Sequence, residues 1–206
     1  MLEIQRLKIT IITDNGTYGF DEEFAKGLNF IASNDNTCGK SSILEAIYYC
    51  LGFEEIIGGQ TEKVLTPVYK SNIKDDEDEF LVLQSSMMLQ ISNGSDVITI
   101  LRCAKMENRK SKLITVFYCP ISDIYKKDVE KDDMYVHSPN AAQHEKGFHA
   151  FLEKFLGLTL PIVSTTDAMD RKLYLQLIFS GLFIEQKRGW ADLFSAMPYL
   201  GIKDSK

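Results

Sequence analysis

Cysteine, proline and tryptophan are scarce in this chain, at four, five and one among 206 residues. Cys38, Cys50, Cys103 and Cys119 form no Cys-X-X-Cys pair, which excludes a zinc ribbon and a disulfide scaffold. They read as reduced thiols of a cytoplasmic protein. Thirteen glycines without a period exclude collagen-like and low-complexity classes. No long hydrophobic run is present. The most apolar stretch, 173–184, contains Gln176 and Ser180 and falls short of the roughly 20 residues that a membrane span needs. The start, Met1-Leu2-Glu3-Ile4-Gln5-Arg6, enters an apolar strand pattern directly, without the zones of a signal peptide. A basic excess is missing too. The net charge is −6, which argues against a protein that coats nucleic acid while leaving room for a local basic patch. What remains is 45% hydrophobic and 25% charged, the composition of one globular domain with a sizeable core.

Along the chain, Leu2, Ile4, Leu7, Ile9 and Ile11 predict a strand, and Asp14-Asn15-Gly16 a turn. A short strand follows over 18–24, and an apolar strand over 28–32. A polar loop, 33–39, leads into a helix from Lys40 to about Leu51, with Ile43, Leu44, Ile47 and Leu51 at helical spacing and Gly52 ending it. The charge run 74–79 reads as surface loop. Asn93-Gly94 between apolar runs predicts a hairpin of 80–92 with 96–103. A second hairpin pairs 96–104 with 113–119 around a tip at 105–112. Residues 120–139 read as loop. A helix starts near Ser138-Pro139-Asn140 and carries the stripe Phe148, Phe151, Leu152, Phe155, Leu156. Another begins near Thr166-Asp167 and runs through Leu173 and Leu177. His137, His144 and His149 are not at metal-ligand spacing and read as ordinary surface or partly buried histidines.

The informative segment is Ser33-Asn34-Asp35-Asn36-Thr37-Cys38-Gly39-Lys40-Ser41-Ser42, placed between a predicted strand and a predicted helix. A phosphate-binding loop needs that order. Consecutive backbone N–H groups wrap the anion, and the helix N-terminus adds donors and partial positive charge. Gly39 lets the backbone approach an oxygen closely, Lys40 reaches the β- and γ-phosphates, and the Ser41 hydroxyl ligates Mg²⁺. The P-loop pattern asks for Gly where Asn34 stands. Asn tolerates left-handed backbone best after Gly, so the loop can still close. A bare Gly-Lys-Ser/Thr arises by chance in roughly one chain in ten of this length. The strand before it and the helix after it cut that by about ten.

At these residues the chain resembles the coiled-coil ABC-type ATPases, the SMC and RecN/RecF-like group of chromosome, repair and phage-defence proteins. Gly27-Leu28-Asn29-Phe30-Ile31 resembles the strand before their P-loop, and Asn36 matches an Asn within it; at Ser33 relatives often carry Arg. Phe183-Ile184-Glu185-Gln186 resembles their Q-loop, which implies a Mg²⁺-ligating, water-positioning role for Gln186. Further stretches, among them 46–52, Gly147-Phe148-His149, 173–176 and 185–190, look like bacterial defence ATPases of the SMC type, such as those of Lamassu anti-phage systems.

The resemblance implies an α/β P-loop ABC-type head with an antiparallel β-subdomain. It implies ATP and Mg²⁺ at Asn34, Asp35, Asn36, Thr37, Cys38, Gly39, Lys40, Ser41, Ser42 and Gln186, with Ser41 and Gln186 on the metal. It implies a second head as partner, accessory or nuclease subunits, and DNA engaged through the full complex, with no membrane. No Asp-Glu strand of Walker B type and no Ser-Gly-Gly signature occurs in the 206 residues. The expectation is therefore an N-terminal half-head, with base, sensor and coiled coil supplied by other sequence, and little ATP turnover on its own. Lys105, Arg109, Lys110 and Lys112 at the hairpin tip are candidate DNA-phosphate contacts, with a solvated turn as the plainer alternative. Two other classes stay open. One is a small P-loop kinase, for which no lid-like arginine pair is found. The other is a degenerate P-loop scaffold without catalysis.

Overall fold

The computed structural model describes residues 2–33, 39–75, 78–137, 147–164 and 170–182. β1 (Glu3–Thr13) alternates as a half-buried strand should, with Leu7, Ile9 and Ile11 buried on one face and Arg6, Lys8 and Thr10 on the other. β2 (Thr17–Glu23) returns antiparallel to it. The Thr13 hydroxyl accepts from the Asn15 and Gly16 amides and so closes the turn between them. After residues 24–33 comes α1 (Lys40–Cys50).

α1 ends where Gly52 adopts φ 71. The Gly52 amide donates to Tyr49 O (3.0 Å) and the Phe53 amide to Tyr48 O (2.8 Å), the paired bonds of a Schellman stop. A Cβ on residue 52 would meet His149 Nε2 at 2.7 Å and Val136 Cγ1 at 2.8 Å, so glycine is required for space as well as for backbone. Three 3₁₀ turns follow, Glu54–Ile57, Thr61–Val64 and Pro67–Tyr69.

β3 (Asn72–Asp75), β4 (Asp78–Ser92), β5 (Val97–Lys105), β6 (Leu113–Phe117) and β7 (Lys131–Tyr135) form an antiparallel run. With β1 and β2 they make a seven-stranded sheet of order β2-β1-β4-β5-β6-β7, with β3 also paired to β4. α2 (Phe148–Phe155), the small hairpin β8 (Ile162–Ser164) and β9 (Asp170–Lys172), and α3 (Leu175–Ser180) complete the described chain. The protein is thus a mixed α and β chain around one antiparallel sheet. Its core joins Leu7, Leu89 and Ile100 of the sheet to Ala46, Tyr49 and Cys50 of α1 and to Phe148 and Leu152 of α2. Among the described residues no helix is long and apolar enough to cross a membrane.

Both predicted hairpins are present, with the β4–β5 turn at Asn93-Gly94. α1 starts and stops where the spacing predicts. Other expectations need correction. Residues 28–32 join no ladder, and Leu28 and Phe30 are 78% and 83% exposed. An apolar segment becomes a strand only beside a partner backbone, and the described residues supply none. Residues 131–135 are not loop but edge strand β7, where Met134 alone is buried, too little apolar content to mark a strand in sequence. Four members of the charge run 74–79 lie in β3 and β4, since a two-stranded tip extending into solvent tolerates charge on both faces. α2 begins at Phe148, and residues 138–146 lie outside the described chain. Residues 170–172 pair with β8 instead of opening a helix, and α3 starts at Leu175.

Candidate functional site

The helix that should carry a phosphate site begins at Lys40, and its N-cap is Gly39 at φ 75, ψ 14, left-handed backbone that L side chains rarely adopt. No capping side-chain hydrogen bond closes the helix start and no acidic residue sits in its first turn. An α-helix cannot satisfy its first amides internally, so this end favours an anion. Ser41 is exposed there, and Ser42 half-buried. Asn34, Asp35, Asn36, Thr37, Cys38 and Gln186 lie outside the described residues. Of the expected nucleotide ligands, the structure therefore brings together Gly39, Lys40, Ser41 and Ser42. These four fit a magnesium-bound triphosphate in donor chemistry: backbone amides, an ammonium and a hydroxyl, with no first-turn carboxylate to repel it. Among the described residues no group of three His, Cys, Asp or Glu could hold a metal ion.

The other end of α1 holds a cluster that the sequence did not announce. Arg102 of β5 and Glu54 after α1 have side chains with no exposure. Their contact is a two-pronged fork, Nη2 to Oε1 at 2.7 Å and Nη1 to Oε2 at 3.0 Å. Arg102 also donates to Tyr49 O (2.6 Å) and Ser111 O (2.8 Å), and its guanidinium lies 3.8 Å from the centre of the Tyr49 ring. His137 Nε2 sits 2.7 Å from Glu54 Oε1, and its Nδ1 3.4 Å from Glu55 Oε1.

Burial alone would lower the His137 pKa, but the hydrogen bonds it donates to the two carboxylates raise it to about 9. Burial would raise that of Glu54, and Arg102 with His137 instead brings it down to about 2. His149, on α2, is pushed down to about 4 by burial and by neighbouring His137, and its Nε2 lies 3.3 Å from Leu51 O. Gln176 of α3 reaches Gly52 O and Glu55. His137 and His149 are thus partly buried, one of the two placements expected of them, and His144 lies outside the described residues. Arg102 and Glu54 are 48 residues apart, so no local pattern could pair them. The cluster clamps the C-terminal end of α1 to β5, to the segment after β7, and to α2 and α3.

The candidate DNA contacts do not form an outward-facing group. Lys105 Nζ donates to Val82 O at 2.6 Å, Lys112 Nζ to His137 O at 3.1 Å and Arg109 Nη2 to Thr115 Oγ1 at 2.7 Å. Lys110 alone of the four is exposed. A cavity of about 660 Å³ opens between the start of β1, residues 24–29, α1 and α3. Ile4, Phe24, Ile47, Phe179 and Leu182 make its wall largely apolar, and Asn29 also lines it. It is continuous with the segment that exposes Leu28 and Phe30.

No family model, no curated protein and no solved structure matches this chain.

Proposed function

We propose that this chain binds MgATP as one half of an SMC-like, ABC-type ATPase head. In that role, head engagement driven by nucleotide gates DNA sensing or remodelling in phage defence or repair. The observation that carries the proposal is Gly39 in left-handed backbone at the start of α1, with Lys40 and Ser41 in the first turn. Two further features support it. The antiparallel sheet lies against this helix, as expected of the β-subdomain of such a head. The exposed Leu28 and Phe30 beside an apolar cavity offer a surface for the complementary half.

Lys40 would meet the β- and γ-phosphates; Ser41 and Gln186 would hold the metal. Magnesium, when bound, neutralises phosphate charge and fixes its geometry. The base and γ-phosphate sensor are assigned to the complementary half, and DNA to the assembled complex.

Calorimetric titration of the 206-residue chain with MgATP tests this. Binding should be saturable. Lys40→Ala should weaken it at least about tenfold, or about 1.4 kcal/mol. Turnover by the chain alone should stay near background. Affinity unchanged by Lys40→Ala would overturn the assignment and favour a degenerate scaffold.

A further inference from the structure

The first turn of α1 is held from behind by a segment that the phosphate-site assignment does not use. Tyr69, 1% exposed, donates its hydroxyl to Ser42 O at 2.7 Å. Thr66 Oγ1 lies 3.1 Å from the Ser42 hydroxyl, and the Thr66 amide donates to Glu45 Oε2 at 2.9 Å. Three bonds from one short stretch, around the 3₁₀ turn Pro67–Tyr69, thus converge on residues 42 and 45.

The brace has a rigid base. Tyr69 O accepts from the Ser85 hydroxyl at 2.6 Å, and Ser85 Oγ in turn accepts from the Lys105 amide at 3.1 Å. Ser85 is 1% exposed and sits where the β4–β5 register shifts. Such a bulge leaves ladder groups for other partners. The line Ser42–Tyr69–Ser85–Lys105 therefore fastens the opening turn of the helix to the centre of the sheet.

A helix start rarely needs this. Its own ladder already uses one lone pair of each carbonyl, and its first turn frays unless something holds it. Here Gly39 contributes no capping side chain, so stiffness must come from outside the helix. We infer that Tyr69 and Thr66 are positioning residues of the phosphate site, which hold the first-turn amides of α1 at fixed spacing for a triphosphate. The inference rests on the nucleotide assignment made above. It adds to it a source of preorganisation outside the loop: residues that touch no ligand and set affinity through the helix they brace.

The test uses the full chain and MgATP, with Tyr69→Phe, Thr66→Val and the control Ile98→Val, a buried β5 change far from the helix start. Tyr69→Phe removes one oxygen and keeps the ring in the core. Thr66→Val keeps the amide bond to Glu45 and loses the hydroxyl.

The expected result is a three- to tenfold weaker MgATP affinity in each brace variant, of the size that one net hydrogen bond supports. The amide resonances of Ser41 and Ser42 should also shift less on MgATP addition. Ile98→Val should leave affinity and shifts unchanged even where its melting temperature falls as far. Wild-type affinity in both brace variants, with binding still lost in Lys40→Ala, would overturn the inference and leave the nucleotide site standing. Equal losses in Ile98→Val would overturn it as a mere stability effect. Failure of the wild-type chain to bind MgATP would remove the site itself and the brace's role with it.

Discussion

At the scale of single residues, the most consequential side chain is Arg102. It is a charge with no exposure, tolerated because Glu54, Tyr49 O and Ser111 O take up its donors. Removing Arg102 leaves the buried Glu54 carboxylate with His137 as its one charged partner among the described residues, and breaking such a pair costs about 3–5 kcal/mol. Arg102→Met should therefore lower the melting temperature by on the order of 10 °C. The double change Arg102→Met, Glu54→Leu should recover part of that loss, because the buried pair leaves together while Glu55 still faces His137. Thermal unfolding followed by circular dichroism checks both.

The two partly buried histidines predict a pH dependence with two arms. For His137 the folded pKa lies above the ordinary histidine value of 6.5, at about 9. Its stabilisation is complete below pH 6.5 and is lost as the pH rises through 9. For His149 the folded pKa lies below 6.5, at about 4. Its neutral form is favoured by folding, so stability falls as the pH drops from 6.5 towards 4, and Glu54 extends the loss towards 2. Stability should peak near pH 6.5. His137→Gln should flatten the alkaline arm and also shrink the acid arm, because His137 helps to lower the pKa values of His149 and Glu54. Urea midpoints measured between pH 4 and 10 decide it, and an alkaline slope retained in that variant would refute the role given to His137.

At the scale of elements, α1 and α2 are each defined by their stops. Both end in a Schellman arrangement on glycine: Gly52 at φ 71, and Gly157 at φ 64 with Leu158 N bonded to Glu153 O. The β4–β5 turn does more than reverse the chain. Asn93 Oδ1 accepts from the Ser95 and Asp96 amides at 2.8 Å, and its Nδ2 donates to Phe155 O at 2.8 Å. One side chain thus shapes the hairpin and covers a carbonyl at the end of α2. Asn93→Ala should cost about 1–3 kcal/mol, from three lost bonds and one uncovered carbonyl. Hydrogen exchange should quicken at 152–158 more than in β1. Uniform quickening across the chain would contradict a local staple.

At the scale of the whole molecule, the described surface is uneven. The sheet, α1 and α2 close around one core, while Leu28 and Phe30 stand in solvent next to an apolar cavity. Surface positions without internal contacts change stability by less than about 0.5 kcal/mol. Leu28→Ser with Phe30→Ser should therefore leave the melting temperature almost unmoved, and should reduce both the binding of a hydrophobic dye and self-association in ultracentrifugation. A large fall in melting temperature would mean that these side chains are packed inside the chain.

Local pattern carried the elements whose signal lies within a few residues. α1 was legible from its apolar spacing and Gly52, the hairpin from Asn93-Gly94, and the α2 stripe from Phe148 to Leu156, because backbone propensity and periodicity act over one or two turns. The start of the candidate site was legible for the same reason, since Gly39, Lys40 and Ser41 are contiguous. Strand β7 and the fate of 28–32 were not, because a strand exists only through its neighbour. The Arg102–Glu54–His137 cluster and the Tyr69 brace were not either. They join residues 48, 83 and 27 positions apart, and their energies depend on desolvation that only the folded core imposes. Sequence by itself determined where α1 opens and stops and where the chain turns between β4 and β5. Tertiary structure decided which charges are buried, what holds the helix start in place and which apolar segment is left uncovered, because those outcomes depend on which distant residues share the same space.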